Sequence, residues 1–288
     1  MKYYYLVTGL PELSIDDNKL SLTTADFKTE IYPLLSEADR GLIDLFYLQY
    51  DNEALLRVLY DVTRRGTKSN ADAAIEVDPR GLFTAEELTE RVTRIRDGER
   101  LKESELPAYM SAFVEEYLTS NSEDNVALQN RLSSLYYAYA MKADNKFVSD
   151  WFKFNLTVNN LLVALTARKY KMEVAPLIVG DTEVCEALRT SNARDFGLAD
   201  EVDALETLIK VAETDELLER EKKLDRLRWD WMTDATFFDY FSIERLFVFL
   251  LQLQMIERWM NLDRETGQKL FRSLVDGLKD EVKIPDLQ

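Results

Sequence analysis

The sequence contains no histidine among its 288 residues. Histidine supplies the base of Ser-His-Asp and Cys-His catalytic systems and the ligands of the His-Glu-x-x-His zinc site, so these sites are excluded. No Gly-x-Gly-x-x-Gly segment occurs. The segment GTKS at 66–69 resembles the end of a phosphate-binding loop, but Asp61 stands where that loop needs its first glycine, and Thr67 stands where it needs its lysine. We therefore expect no catalytic residues, no cofactor, no metal site and no small-molecule substrate. A pair of carboxylates is the one enzymatic alternative.

Cysteine, glycine and proline are scarce, with one, nine and six residues respectively. Few turn residues disfavour a β-sandwich or barrel, which needs a turn about every 8 to 12 residues. The single cysteine, Cys185, excludes an internal disulfide and fits a cytoplasmic protein. Its neighbours Glu183 and Glu186 disfavour a reactive thiolate at this position.

Long apolar runs are also lacking. The most apolar segment, LFVFLLQLQMI at 246–256, has 11 residues, whereas a membrane-spanning helix needs about 20. We expect this segment to be core and expect no direct membrane insertion. The opening MKYYYLVTGL lacks the apolar stretch and the cleavage site of a secretory signal peptide, which again indicates a cytoplasmic location.

Acidic residues outnumber basic ones, giving a net charge of −17. Nucleic-acid binding requires a basic surface, so a nucleic-acid partner is not expected. Residues 181–221 alone hold 13 acids and four bases, a net charge of 4 − 13 = −9. Two interpretations of this block stay open: a solvated helical face, or a docking surface for a basic partner.

The pattern of apolar residues predicts an all-α protein that forms a single continuous helical body over 1–288. A short strand or an extended arm is expected for YYYLVTGLPEL at the N-terminus, and a break with a short strand for PLIVGD at 176–181. Thr84 and Glu87 form a capping box, and Asp39 and Asp263 are expected caps. Helices are predicted at 39–64, 84–96, 104–119, 126–142, 146–173, 182–190, 200–228, 234–261 and 264–279.

One long helical segment recurs. Setting residue 42 against residue 148 aligns about two dozen positions without a gap, with Phe46 opposite Phe152 and Leu55 opposite Leu161. A weaker third copy is found in FFDYFSIERLFVFLL at 237–251. The long spacing of the copies does not fit the common helical solenoids and favours three lobes, at about 1–100, 101–199 and 200–288.

These segments resemble the C-type central-stalk spacer of the rotary V/A-type ATPases, whose eukaryotic counterpart is called d-type. FNLTVNNLLVAL at 154–165 is similar to the second-lobe pattern of that family, YDNEALL at 50–56 to its first-lobe counterpart, and FVFLLQLQMIERW at 247–259 to its last helix. The segments YYYLVTGLPEL and ERWMNLDRETG also resemble an uncharacterised bacterial family encoded in V-type ATPase operons, at the place where the C-type spacer is expected.

The resemblance implies a non-catalytic spacer of the central stalk. Its partners would be the ATPase central shaft and the membrane rotor ring, which would hold it at the membrane periphery on the cytoplasmic side. In such a complex, rotation couples ATP turnover to ion or proton transport. The alternative is a helical scaffold or adaptor that is unrelated to the ATPase.

Seven residues are candidates for partner binding. Asn159 and Asn160 form a polar pair in an otherwise apolar helix. One of them is expected either to point inward and bind the backbone of a neighbouring helix, or to contact the shaft. Aromatic and arginine side chains are favoured anchors of protein interfaces. The remaining candidates are Tyr3, Tyr5, Glu257, Arg258 and Trp259, with ordinary packing or a local ion pair as the alternatives.

Overall fold

The structure, a computed structural model, describes residues 2–64, 75–120 and 124–262. Within these ranges the chain is all-helical and contains no β-strand, which confirms the predicted fold class. The helices are α1 (Tyr4–Thr8), α2 (Thr24–Asp26), α3 (Glu37–Arg64), α4 (Ala85–Arg96), α5 (Ala108–Thr119), α6 (Asn125–Ala140), α7 (Lys146–Lys169), α8 (Glu183–Thr190), α9 (Leu205–Ala212), α10 (Leu217–Ala235) and α11 (Ile243–Asn261).

The local signals for helix ends explain most of these bounds. Helix α4 begins after the predicted capping box, in which the Thr84 hydroxyl and the Glu87 carboxylate each accept a backbone N–H of the other residue. Helix α3 begins two residues earlier than predicted. Its cap is Ser36, whose hydroxyl accepts the N–H of Asp39, so the prediction that Asp39 is the cap is wrong.

Four other predictions need correction. The helix predicted at 234–261 begins only at Ile243, because residues 236–242 form turns and a bend. YYYLVTGLPEL contains the short helix α1 in place of a strand, and 176–181 begins within a 3₁₀ turn, Ala175–Leu177, and contains no strand. Within the described residues neither segment has a strand with which to share a ladder of backbone hydrogen bonds. The helix predicted at 200–228 is two helices, because the Glu216 carboxylate accepts the N–H groups of Leu218 and Glu219 and starts a new helix there.

Two predictions fall on other parts of the chain. Most of the loop predicted at 64–81, and all of the helix predicted at 264–279 with its cap Asp263, lie outside the described residues. Among the helices that are described, none has the length and apolar character needed to cross a bilayer.

The chain divides into two compact units. Unit 1 comprises Met1–Leu34 and Asp239–Gln288, and unit 2 comprises Leu35–Phe238. These boundaries differ from the predicted lobe boundaries near 100 and 199, and the division into three lobes stays a prediction.

Unit 1 contains α1, α2 and α11, with a π-helical turn at Phe27–Ile31 and a 3₁₀ turn at Tyr32–Leu34. The apolar segment 246–256 lies in α11 and is almost entirely buried, as predicted for core. Phe27 is fully buried, and its ring centre lies 6.5 Å from that of Phe249 in α11.

Unit 2 contains α3 to α10. Helix α3 packs against α4 and α6, α5 packs against α4 and α6, and α7 packs against α6, α8, α9 and α10. The core around α7 is formed by Leu156, Val158, Leu161, Ala164, Ile178, Val184, Cys185, Leu188, Phe196, Leu198, Leu205, Leu208, Val211 and Leu224. Cys185 is one of these core residues, consistent with the expectation of an unreactive thiol.

Buried tyrosines connect the helices of unit 2. The Tyr136 hydroxyl donates to the carbonyl oxygen of Leu45 at 2.8 Å, and the Tyr109 hydroxyl donates to Asn52 Oδ1 at 2.7 Å. Burial raises the pKa of Tyr109, Tyr136 and Tyr137 above the usual value of 10.0. The folded protein therefore keeps these phenols protonated at pH values where the unfolded chain ionises them.

We expect unit 2 to lose stability in alkaline solution. Below about pH 9 the three phenols are neutral in both states and contribute no pH dependence. From about pH 10 upward the unfolded phenols ionise while the folded ones do not, so the free energy of unfolding falls until the raised pKa is reached. Urea denaturation measured by circular dichroism from pH 7 to 11 checks this. A Tyr136→Phe variant should be less stable by about 1 kcal/mol at pH 7 and should fall less steeply above pH 10. A midpoint that does not change up to pH 11 would contradict the assignment.

Candidate partner-binding residues and the polar anchors

Asn160 is buried in unit 2, with 2% of its surface exposed. Its amide forms a two-point clamp on one residue: Nδ2 donates to the carbonyl oxygen of Val179 at 2.7 Å, and Oδ1 accepts the N–H of Val179 at 3.0 Å. Nδ2 also lies 3.3 Å from the Cys185 sulfur. Asn160 therefore points inward and binds backbone, as expected for one asparagine of the pair. The bound backbone belongs to the extended segment before α8, whereas a helix was expected.

Asn159 is half-buried and belongs to a polar network between α6, α7 and α10. Its Oδ1 accepts from Arg228 at 2.9 Å, and its Nδ2 donates to the Tyr137 hydroxyl at 3.3 Å. Asn155, one helical turn earlier, makes the same two contacts at 3.1 and 3.3 Å. The guanidinium of Arg228 also lies 3.5 Å from the buried carboxylate of Asp225. The amides satisfy an arginine whose side chain is only 13% exposed.

Asp51 on α3 and Asn160 on α7 are polar anchors, that is, buried polar side chains that hold the backbone of another segment. Asp51 was not among the candidates predicted from sequence. Asp51 is 1% exposed, and its carboxylate accepts the N–H of Leu82 at 2.9 and 3.0 Å and the N–H of Phe83 at 3.1 Å. The bound backbone leads directly into Thr84, the cap of α4. Asp51 lies three residues after the buried Leu48 and four before the buried Leu55. An acid at a core position of the apolar pattern was the signal available in the sequence.

Asp51 and Asn160 occupy similar positions in the fold. Each long helix, α3 and α7, holds the segment that precedes a short helix whose cap is a threonine, Thr84 for α4 and Thr182 for α8. In the repeat alignment Asn160 falls opposite Ala54, so Asp51 lies one helical turn before the equivalent position, on the same face. The third copy differs, because Phe237 lies outside a helix and is 58% exposed, whereas Phe152 is helical and buried.

Gly81 lies against the Asp51 carboxylate. A Cβ atom at this position would overlap Asp51 Oδ1 well inside van der Waals contact. We expect Gly81→Ala to lower the free energy of unfolding by about 2 kcal/mol, because the added methyl group displaces the carboxylate from its N–H donors. Thermal unfolding of the variant checks this. In an Asp51→Ala background the same substitution should be nearly neutral, and equal losses in both backgrounds would contradict the mechanism.

The N-terminal tyrosines lie in unit 1, and their exposure differs. The backbone N–H of Tyr3 donates to the carbonyl oxygen of Phe241 at 2.6 Å, and the Tyr3 side chain is buried. The Tyr4 ring lies 4.7 Å from that of Phe241. Tyr5 is 96% exposed and Tyr240 is 60% exposed. Tyr3 thus fixes the start of α1, and Tyr5 and Tyr240 are available to a partner.

The polar residues at the end of α11 have separate roles in unit 1. The Glu257 carboxylate accepts both the N–H and the hydroxyl of Thr24, at 2.7 and 2.6 Å, and so caps the first turn of α2. Arg258 is exposed, and its guanidinium carbon lies 5.4 Å from the ring centre of the half-buried Trp259. Glu257 therefore has an internal function, while Arg258 and Trp259 present a cationic and aromatic surface.

The described residues offer no metal site, since no group of three or more acidic or cysteine side chains is arranged to hold an ion. No curated protein and no solved structure matches the chain. A family described as "Protein of unknown function (DUF2764)" matches residues 1–282. Because the match covers nearly the whole sequence, the chain belongs to this family.

Proposed function

We propose that the protein is a non-catalytic spacer of a bacterial V-type rotary ATPase, which links the central shaft to the membrane rotor ring. The observation that carries the proposal is the position of the three segments that resemble the C-type spacer family. They fall in α3, α7 and α11, three long helices of an all-helical chain. On this proposal the protein is held at the cytoplasmic side of the membrane through its partners.

The internal anchors support a mechanical role. A part that transmits rotation must keep its helices in register under load. Asp51 and Asn160 each fix the backbone of another segment with two or more hydrogen bonds. Glu257 holds the backbone N–H and the hydroxyl of Thr24, and the Arg228 network joins three helices. Buried polar groups that are fully paired favour one packing arrangement over others.

Exposed aromatic side chains favour a second candidate function, a helical adaptor that is unrelated to the ATPase. Tyr5 and Phe238 are 96% and 87% exposed, and such residues are common anchors in many kinds of protein interface. The identity of the partner distinguishes the two functions, because an adaptor has no reason to bind the shaft or the rotor ring.

We expect Tyr5→Ala to weaken binding to the isolated shaft and rotor ring of a V-type ATPase by about tenfold, as for loss of an interface anchor. Biolayer interferometry with the immobilised chain measures this. Tyr170→Ala in unit 2, where the ring is 67% exposed, is the matched control and should bind like the parent. If the parent chain binds neither the shaft nor the ring, the proposal is wrong. If Tyr5→Ala binds as the parent does, Tyr5 is not part of the interface.

A further inference from the structure

A groove of about 980 Å³ lies in unit 2, between α7, the start of α8, the segment before α9, and α10. Part of its lining is apolar, including Phe154, Val184, Val202 and Trp231. The rings of Phe154 and Trp231 stack, with centres 4.6 Å apart and planes 7° from parallel. This size is within the range of ligand-binding clefts in proteins.

Carboxylates line the groove with the aromatic pair. Four acids and one lysine contribute to the lining, a net charge of 1 − 4 = −3. Asp150 is paired with Lys146 at 2.9 Å. Glu183, Glu201 and Asp203 are exposed, and none of them has an ion-pair partner in the described ranges 2–64, 75–120 and 124–262. All three belong to the acidic block 181–221, so the structure brings part of that block beside an aromatic surface.

The carboxylates and aromatic rings of the lining indicate which kind of ligand the groove would bind. A single metal ion does not fit, since the acids of the described residues do not converge into a metal-binding group. Anionic ligands, including nucleic acids, are repelled by the carboxylates. A planar guanidinium satisfies both features of the lining, because it pairs with carboxylates and packs on aromatic rings, whereas an ammonium group lacks the planar face needed for stacking.

We propose that this groove binds an arginine-rich segment of a partner protein, with guanidinium groups paired to Glu183, Glu201 and Asp203 beside the Phe154 and Trp231 rings. Charge complementarity and the aromatic lining carry the proposal. It concerns a different surface from Tyr5 and holds whether or not the partner belongs to an ATPase. Exposed ion pairs are individually weak, so binding depends on several arginines acting together and falls with added salt.

The test uses short fluorescein-labelled peptides of alternating arginine and serine, or lysine and serine, with the full chain in about 0.15 M salt. Fluorescence anisotropy should show tighter binding of the arginine peptide. The groove variant carries Glu183→Gln, Glu201→Gln and Asp203→Asn, and should bind this peptide about tenfold more weakly. All three positions are exposed, so the variant should fold, which circular dichroism verifies.

The control variant carries Glu86→Gln, Glu115→Gln and Asp144→Asn, three exposed acids outside the groove lining. It removes the same charge, and Glu86 lies in the first turn of α4 as Glu183 does in α8. Binding within about twofold of the parent supports the proposal. Equal losses of binding in both variants would show a general charge attraction and would overturn the proposal. Failure of the parent chain to bind the arginine peptide would also overturn it. Equal binding of the lysine and arginine peptides would overturn the role of the aromatic pair.

Discussion

Asn160→Leu should lower the free energy of unfolding by about 3 kcal/mol. Leucine has the same branched arrangement of side-chain heavy atoms as asparagine, so the substitution removes hydrogen bonds without opening a cavity. The N–H of Val179 would lose its partner, and its carbonyl oxygen would keep only the weak donor Cys185 Sγ at 3.2 Å. A polar group left unpaired away from water costs about 1 to 3 kcal/mol. Urea denaturation followed by circular dichroism measures the loss.

Thr166→Leu is the matched control for this substitution, because Thr166 lies on the exposed face of the same helix. It should change the free energy of unfolding by less than about 0.5 kcal/mol. A denaturation midpoint for Asn160→Leu that equals the control would show that the Val179 clamp does not stabilise the fold. Normal stability combined with loss of shaft binding would instead favour a partner contact by Asn160.

Asp51→Ala should have an effect of similar size, about 3 kcal/mol, at the corresponding place on α3. The carboxylate is 1% exposed and accepts the N–H groups of Leu82 and Phe83, so its removal leaves two part-buried donors without this acceptor. Asp51→Asn should lose less, because the amide retains one acceptor oxygen. The segment before α4 should also show faster amide hydrogen exchange in Asp51→Ala, measured by mass spectrometry.

Glu53→Ala is the control on α3. Glu53 pairs with Arg57 one turn later, but both side chains are largely exposed, at 71% and 49%. An exposed pair of this kind contributes less than about 1 kcal/mol. If Glu53→Ala and Asp51→Ala were equally destabilising, a general loss of negative charge on α3, and not the anchor, would explain the result.

Local signals in the sequence were sufficient to predict the class of fold and most helix positions. The capping box of Thr84 and Glu87 is encoded by neighbouring residues, and the leucine spacing of α3 and α7 is read directly from the chain. The buried segment at 246–256 could be predicted because its length and hydrophobicity exclude both a membrane span and an exposed helix.

The partners of the polar anchors could not be predicted from a local sequence pattern. A buried carboxylate or amide is recognisable on a helix face, but its partners, such as Leu82 and Val179, are backbone groups 19 to 31 residues away. Any residue provides such groups, so no sequence pattern identifies them. The groove is similar: Glu183, Glu201 and Trp231 come from separate elements, and their proximity depends on tertiary packing.

The candidate residues divide into those with a role inside the protein and those on its surface. Asn160 and Glu257 use their polar atoms inside the protein, whereas Tyr5 and Arg258 are exposed. This division explains why substitutions of the first kind should be detected by stability and those of the second kind by binding.

The most direct test of the proposed function is a pull-down of the tagged full-length protein from gently solubilised membranes of the source cell, with quantitative mass spectrometry. The proposal predicts that the shaft and rotor-ring components of the V-type ATPase are recovered with the protein, in constant proportion to it across repeated preparations. Recovery of the protein without these components, while the ATPase stays intact in the same lysate, would contradict the spacer role.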